Sequence, residues 1–196
     1  MCSSDLRFEY VHNVKLPGML HGRVVRPPTV GATLASVDEA SAAGLPGVVK
    51  VVVKKNFVGV VAQKPWQALQ AAQTLKVTWN PGPPLPSQTD FYQTLRQDRR
   101  TRDNLLFDSK DTGAKISAAP VKVNASYLHP YQMHGSVGSS CSVADVQGSR
   151  ATIYSATQAV WYQRNTCATI LGLQPDSIRV IFRRGSGCYG VNGADT

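Results

Sequence analysis

Residues 183 to 195 read Arg-Arg-Gly-Ser-Gly-Cys-Tyr-Gly-Val-Asn-Gly-Ala-Asp. Gly185, Ser186, Gly187, Cys188, Tyr189 and Gly190 make a loop in which bare backbone can do chemistry, because a residue without a Cβ lets its amide approach a bound group closely. The Gly-x-Gly-x-x-Gly spacing follows a β-branched run, Ile178 to Phe182, and has three readings. A dinucleotide fingerprint needs a helix opening at the third glycine and an acidic residue about 20 positions later. Val191-Asn-Gly193 opens a helix poorly, and the acidic position falls beyond Thr196. A plain turn, with Cys188 and Tyr189 packed inward, needs only the conformational freedom of glycine. A cradle of exposed amides would hold the phosphate or oxo groups of a cofactor. The loop by itself does not separate the turn from the cradle.

Other reactive side chains add little. His129 and His134 are of a type that carries protons near neutral pH, and equally of a type that serves as a hydrogen-bonded structural residue. Asp145 and Asp195 have no partner in the sequence that would make an acid and base pair. Cys2, Cys141, Cys167 and Cys188 contain no Cys-x-x-Cys pair, which argues against zinc. Cys188 reads as a small packed residue rather than a ligand. No catalytic residue and no protein ligand to a metal is assigned.

The 196 residues are 42% hydrophobic and 17% charged, the composition of a chain that folds. The formal charge of +9 invites a nucleic-acid reading. However, the densest basic run, Arg96 to Arg102, is broken by acidic residues and has no interleaved aromatics, so no nucleic-acid role is expected. No apolar run approaches the roughly 18 residues that a membrane span needs. The opening Met-Cys-Ser-Ser-Asp-Leu lacks a signal-peptide profile, and no compartment is assigned.

The elements that must position the loop read as an α+β chain. Strands are expected at Leu20 to Val25, Thr33 to Val37, Val48 to Val53, Phe57 to Ala62 and Leu75 to Trp79. A short helix follows an Asp38 N-cap, and a longer one starts at Pro65. Asn80 to Pro86 is a proline-rich linker, Ser87 to Arg96 reads as a single amphipathic helix, and Arg96 to Ala119 as an exposed polar connection. Val121 to Tyr127 alternates like a strand. Ser140 to Val146 and Ala151 to Ser155 pair across a turn at Gln147 to Ser149. Trp161 to Leu171 is a helix closed by Gly172, and Ile178 to Phe182 is the last strand. The domain expectation is 1–80, 81–119 as linker and exposed connection, and 120–196. Only six residues follow Gly190, so the last region reads as the start of a domain within a longer polypeptide.

Seven segments together carry a resemblance. Val14-Lys-Leu-Pro-Gly-Met-Leu-His-Gly-Arg-Val-Val-Arg-Pro-Pro28, Leu45 to Val52, and Phe57 to Ala62 with Trp66 and Ala68 resemble the α/β hammerhead domain of the xanthine dehydrogenase and aldehyde oxidase family. Pro130-Tyr-Gln-Met-His134, Ser155-Ala-Thr-Gln158, Leu171-Gly-Leu173 and the glycine loop resemble the start of that family's molybdopterin-binding region, in the same order. His134 to Gly138 and Gly185 to Asp195 look most like the isoquinoline 1-oxidoreductase type. Ser186 stands where the better-known branch has glycine, and a Met-Glu-Pro common among relatives is absent.

The resemblance implies a molybdenum hydroxylase large subunit. Its metal is held by a molybdopterin, with a cytosine dinucleotide form expected, and electrons leave through iron–sulfur clusters on a small partner subunit. It hydroxylates an N-heteroaromatic or aldehyde carbon with oxygen from water. Gln158 matches a glutamine that hydrogen-bonds a cofactor oxygen, against the plainer reading that it caps the helix from Trp161. Gly185, Ser186, Gly187, Cys188, Tyr189 and Gly190 match the loop beside the metal. The family's glutamate base has no counterpart in this chain. Two alternatives stand beside this reading: a non-catalytic module that docks an iron–sulfur subunit, and a nicotinamide-dependent dehydrogenase.

Overall fold

The computed structural model describes residues 8–97, 104–131 and 140–187. The chain mixes helices and strands and divides into two compact units. One is built from residues 8–25, 38–76 and 140–187, the other from residues 26–37, 77–97 and 104–131.

The first unit holds two three-stranded sheets. In one, β4 (Phe57–Ala62) lies between β1 (His21–Val25) and β3 (Val48–Lys54), both antiparallel to it. The apolar run of β4 puts it in the centre, and Val58, Val60 and Ala62 are 1% exposed or less. Burying each of the two valines contributes about 1.5–3 kcal/mol. Helix α2 (Pro65–Thr74) packs on β1 and β4 through Ala68 and Ala71, whose small side chains allow close approach. Pro65 occupies its first turn, where the missing N–H would have lacked a partner in any case.

The second sheet is the one that carries the glycine loop. Strand β6 (Ser142–Gln147) turns through Gly148, at φ 57°, into antiparallel β7 (Arg150–Ser155). Helix α5 (Val160–Leu171) then crosses over to β8 (Ile178–Phe182), which lies parallel to β7 with Ser155 opposite Phe182. A parallel neighbour requires such a crossover. Helix α5 ends at Gly172, whose φ of 68° is the left-handed C-cap expected of glycine. Ala151, Ile153, Ala168 and Ile178 form the buried core between helix and sheet.

In the second unit β2 (Thr33–Asp38) pairs with β5 (Lys76–Asn80). Two short helices follow, α3 (Phe91–Gln97) and α4 (Thr112–Ala118), neither with a buried residue. The stretch after β5 has no regular structure, as its prolines require.

Four expectations change. Asp38 ends β2 instead of capping a helix: helix α1 (Ala40–Ala43) starts after Glu39, and the Asp38 carbonyl accepts from Ser41 Oγ at 2.6 Å. The helix expected over Ser87 to Arg96 is confined to Phe91–Gln97. The exposed connection contains α4, tied by a Lys115 to Asp111 ion pair of 2.8 Å. Val121 to Tyr127 is not a strand; Val121, Val123 and Tyr127 are 78–90% exposed, because alternation without a neighbour to pair with leaves nothing to bury against.

Candidate functional site

Parallel strands β7 and β8 end side by side, so the loops that leave them emerge together. This is the edge of a sheet at which α/β proteins place ligands. One loop is Ala156-Thr157-Gln158-Ala159, leading into α5. The other begins Arg183-Arg184-Gly185-Ser186-Gly187. The Arg183 N–H donates to the Ser155 carbonyl at 2.8 Å, carrying the ladder one residue past the strands. The N-terminal segment supports the second loop from beneath: the Val11 N–H donates to the Arg184 carbonyl at 2.8 Å, and Val11 is buried.

Gly185 is the residue on which the two loops close. A Cβ added there would lie 2.7 Å from the Ala156 Cβ and 3.5 Å from Val11 Cγ1. Ordinary carbon contacts are about 3.5–4.0 Å. The loops therefore touch through a gap only glycine fills, which separates this position from a glycine that serves a turn alone.

The first loop is held by its own hydroxyls. Ser155 Oγ accepts from the Thr157 N–H at 3.2 Å and from Gln163 Nε2 at 3.1 Å, and Thr157 Oγ1 accepts from the Ala159 N–H at 3.0 Å. Ser155 and Thr157 are buried at 3% and 1% exposure, while Gln158 between them and the helix is exposed. The N-cap of α5 is Ala159, with no side-chain cap. Gln158 is thus not the helix cap, and its amide is presented outward by a turn whose other members are fixed.

Two buried oxygens at these loops, Ser186 Oγ and Gln163 Oε1, have no hydrogen-bond partner. A buried polar atom left unmade costs about 1–3 kcal/mol, a cost that a bound group with matching donors or acceptors would remove. Guanidinium groups flank the loops. Arg183 pairs with Glu9 at 3.6 Å and lies over the Tyr154 ring, Arg184 lies over Phe8, and Arg164 lies over Trp161 at 4.5 Å.

Among the residues expected to serve the site, the structure brings Gln158, Gly185, Ser186 and Gly187 to the ends of the two strands. Cys188, Tyr189 and Gly190 lie outside the described residues, as do His134, Asp195 and Cys2. His129 and Asp145 are exposed or half-buried, and Asp145 accepts from Gln147 Nε2 at 3.1 Å. Among the described residues no three His, Cys, Asp or Glu side chains gather as metal ligands. Cys167 packs against the α5 core, and burial pushes its thiol up. A concavity of about 640 Å³ lies between the 11–23 segment and β6, and neither Gln158 nor the glycine loop lines it. The candidate site is a wall made of two loops.

Residues 97–195 match a family described as the molybdopterin cofactor-binding domain. The chain belongs to the molybdopterin-binding xanthine dehydrogenase and aldehyde oxidase family. It is 43% identical over 195 residues to a nicotinate dehydrogenase chain of Pseudomonas putida, covering 95% of this chain and 16% of that one. Quinoline 2-oxidoreductase from Pseudomonas putida 86 superposes with a TM-score of 0.71 at 19% identity, over 96% of this chain and 30% of that one. Aldehyde oxidoreductase from Desulfovibrio gigas superposes with a TM-score of 0.66 at 18% identity, over 93% and 25% of the two chains. The α+β fold is that of molybdenum hydroxylase large subunits. This chain spans less than a third of the length of each of these relatives.

The residues at the strand ends fit a molybdopterin. Its metal is held by the cofactor's own sulfurs, so the protein needs neutral donors and close backbone rather than ligands. The wall offers these: the outward Gln158 amide, the unpartnered Ser186 hydroxyl, and the Gly185 contact that seats the loop. Ser155, Thr157 and Gln163, which hold the turn around Gln158, were not singled out from the sequence as site residues. Their signal in the sequence is the Ser-x-Thr pair between a strand and a helix, residue types that bond their own backbone in turns.

Proposed function

We propose that this protein forms part of the cofactor-binding core of a molybdenum hydroxylase that oxidises a carbon of an N-heteroaromatic ring. The observation that carries the reading is the pairing of an exposed, non-capping Gln158 with the orphaned Ser186 hydroxyl on adjoining loops at the ends of two parallel strands. The 43% identity to a nicotinate dehydrogenase chain supports a ring substrate over an aldehyde.

When bound, the cofactor supplies the metal centre for hydroxylation with oxygen from water. Gln158 would donate a neutral hydrogen bond to a cofactor oxygen without adding charge beside the metal. The Gly185, Ser186 and Gly187 stretch would offer close main chain beside that oxygen, and Cys188, Tyr189 and Gly190 continue the stretch along the sequence. The cytosine dinucleotide form, a small iron–sulfur partner subunit, and the division into 1–80, 81–119 and 120–196 belong to the same proposal and are supported by the family resemblance.

The test is turnover by protein produced from the complete gene in a host that makes the cofactor. Nicotinate and quinoline are offered with an artificial electron acceptor in isotopically labelled water. The proposal expects a hydroxylated ring carrying the solvent label. Turnover of neither compound, or product without the label, contradicts it.

A further inference from the structure

We propose that Gln163 is the positioning residue for Gln158, acting through Ser155. The inference rests on the assignment of Gln158 to the cofactor. Ser155 closes β7, is buried, and its Oγ has two lone pairs. Both are engaged, one by the Thr157 N–H at 3.2 Å and one by Gln163 Nε2 at 3.1 Å. Gln163 sits one turn into α5, its own N–H donating to the Ala159 carbonyl at 3.0 Å. The amide therefore ties the helix to the strand end across the turn that presents Gln158. Thr157 Oγ1, accepting the Ala159 N–H at 3.0 Å, closes the same turn from the other side.

Packing does not explain this residue. Gln163 is 9% exposed, and its Oε1 is buried without a partner. A methionine of similar length would fill the space and leave no polar atom unpaired on that side chain. What methionine lacks is the Nε2 donor that fixes Ser155 Oγ.

The experiment uses protein from the complete gene, loaded with cofactor, as wild type, Gln163→Met, Gln158→Ala and the double variant. Molybdenum per chain, kcat per bound molybdenum, and amide exchange at residues 157–159 are measured. Gln163→Met is expected to keep its molybdenum, to lose about tenfold in kcat per metal, and to exchange faster at 157–159. Added to Gln158→Ala it costs nothing further, since a positioning residue has nothing left to position. Ser155→Ala gives a second readout from the other end of the tie: it removes the acceptor of the Gln163 Nε2 donor and is expected to keep its molybdenum, to lose kcat per metal and to exchange faster at 157–159.

Independent, multiplying losses in the double variant would overturn the proposal, as would unchanged kcat per metal with unchanged exchange. If Gln163→Met does not accumulate, Ser155→Ala decides, and kcat per metal and exchange both unchanged from wild type overturn the proposal. Absence of molybdenum from the wild type refutes the cofactor assignment and with it the role toward Gln158, while the exchange data still judge the tie itself.

Discussion

Replacing Gly185 by alanine tests the closure of the two loops. The added Cβ would stand 2.7 Å from the Ala156 Cβ, roughly 1 Å inside ordinary contact distance. Neither side can give cheaply. Ala156 Cβ is fixed to the backbone of the turn after β7, and Val11, 3.5 Å away on the other flank, is buried and bound to Arg184 through its own N–H. Overpacking of this kind costs about 1–3 kcal/mol. The relief available is for the glycine loop to move away from Gln158 by about 1 Å, a misplacement that in an active site costs on the order of a hundredfold in rate. Removing the methyl that is struck should restore the fit, so Gly185→Ala with Ala156→Gly should recover most of both losses. Ala156→Gly alone should cost only about 0.5–1 kcal/mol, the ordinary cost of glycine. Denaturant unfolding and kcat per bound molybdenum are the measurements. A Gly185→Ala protein within about 0.5 kcal/mol of wild type, the scatter of an ordinary surface change, would refute the reasoning. So would a double variant no better than the single one.

Gln158→Ala should lower kcat per bound molybdenum by about 10–100-fold, with little change in unfolding, because the side chain is exposed and does not cap α5. Val60→Ala in the central strand β4 should cost about 2 kcal/mol in denaturant unfolding, from two lost methyls and the cavity they leave. Burial pushes the Cys141 and Cys167 thiols above their ordinary value of 9.0, with Arg23 drawing Cys141 partly back. Both should therefore alkylate slowly at neutral pH and faster in denaturant, and Arg23→Met should slow Cys141 further. Hydrogen bonds from Lys115 and then Ser109 hold the Asp111 carboxyl below its usual range. A depressed carboxylate stabilises above its unfolded pKa, and the contribution is lost as pH falls through the folded one. Residue-level NMR should show α4 fraying on acidification below the ordinary 3.8, with no matching step in global unfolding, because the pair is exposed.

The strands of both sheets in the first unit were legible because burial on a sheet leaves β-branched runs bounded by turn residues, as in Val48–Lys54, Phe57–Ala62 and Ile178–Phe182. Gly172 was legible for a similar reason: a left-handed C-cap demands glycine. Helix α4 left no such trace. It has no buried face, so its residues show no helical period, and a local ion pair serves in place of packing. Val121 to Tyr127 failed in the opposite direction, since alternation describes a face that could be half buried and is silent on whether a partner strand exists. At the candidate site, Gly185 stood out by type and spacing, and Gln158 only through the family resemblance. The contact between Gly185 and Ala156, 29 positions away in the chain, did not, because β7 and β8 are brought together only by the crossover through α5. The Ser155, Thr157 and Gln163 tie was hidden for the same reason: residues eight apart meet only where a strand end turns into a helix.

The most direct test of the central claim is the molybdenum and pterin content of protein purified from the complete gene in a host that makes the cofactor. If the loops after β7 and β8 form a wall of the cofactor site, the wild type should carry both in roughly stoichiometric amounts, and Gly185→Ala should carry less of each. Wild-type protein that is folded yet free of molybdenum and pterin would contradict the account.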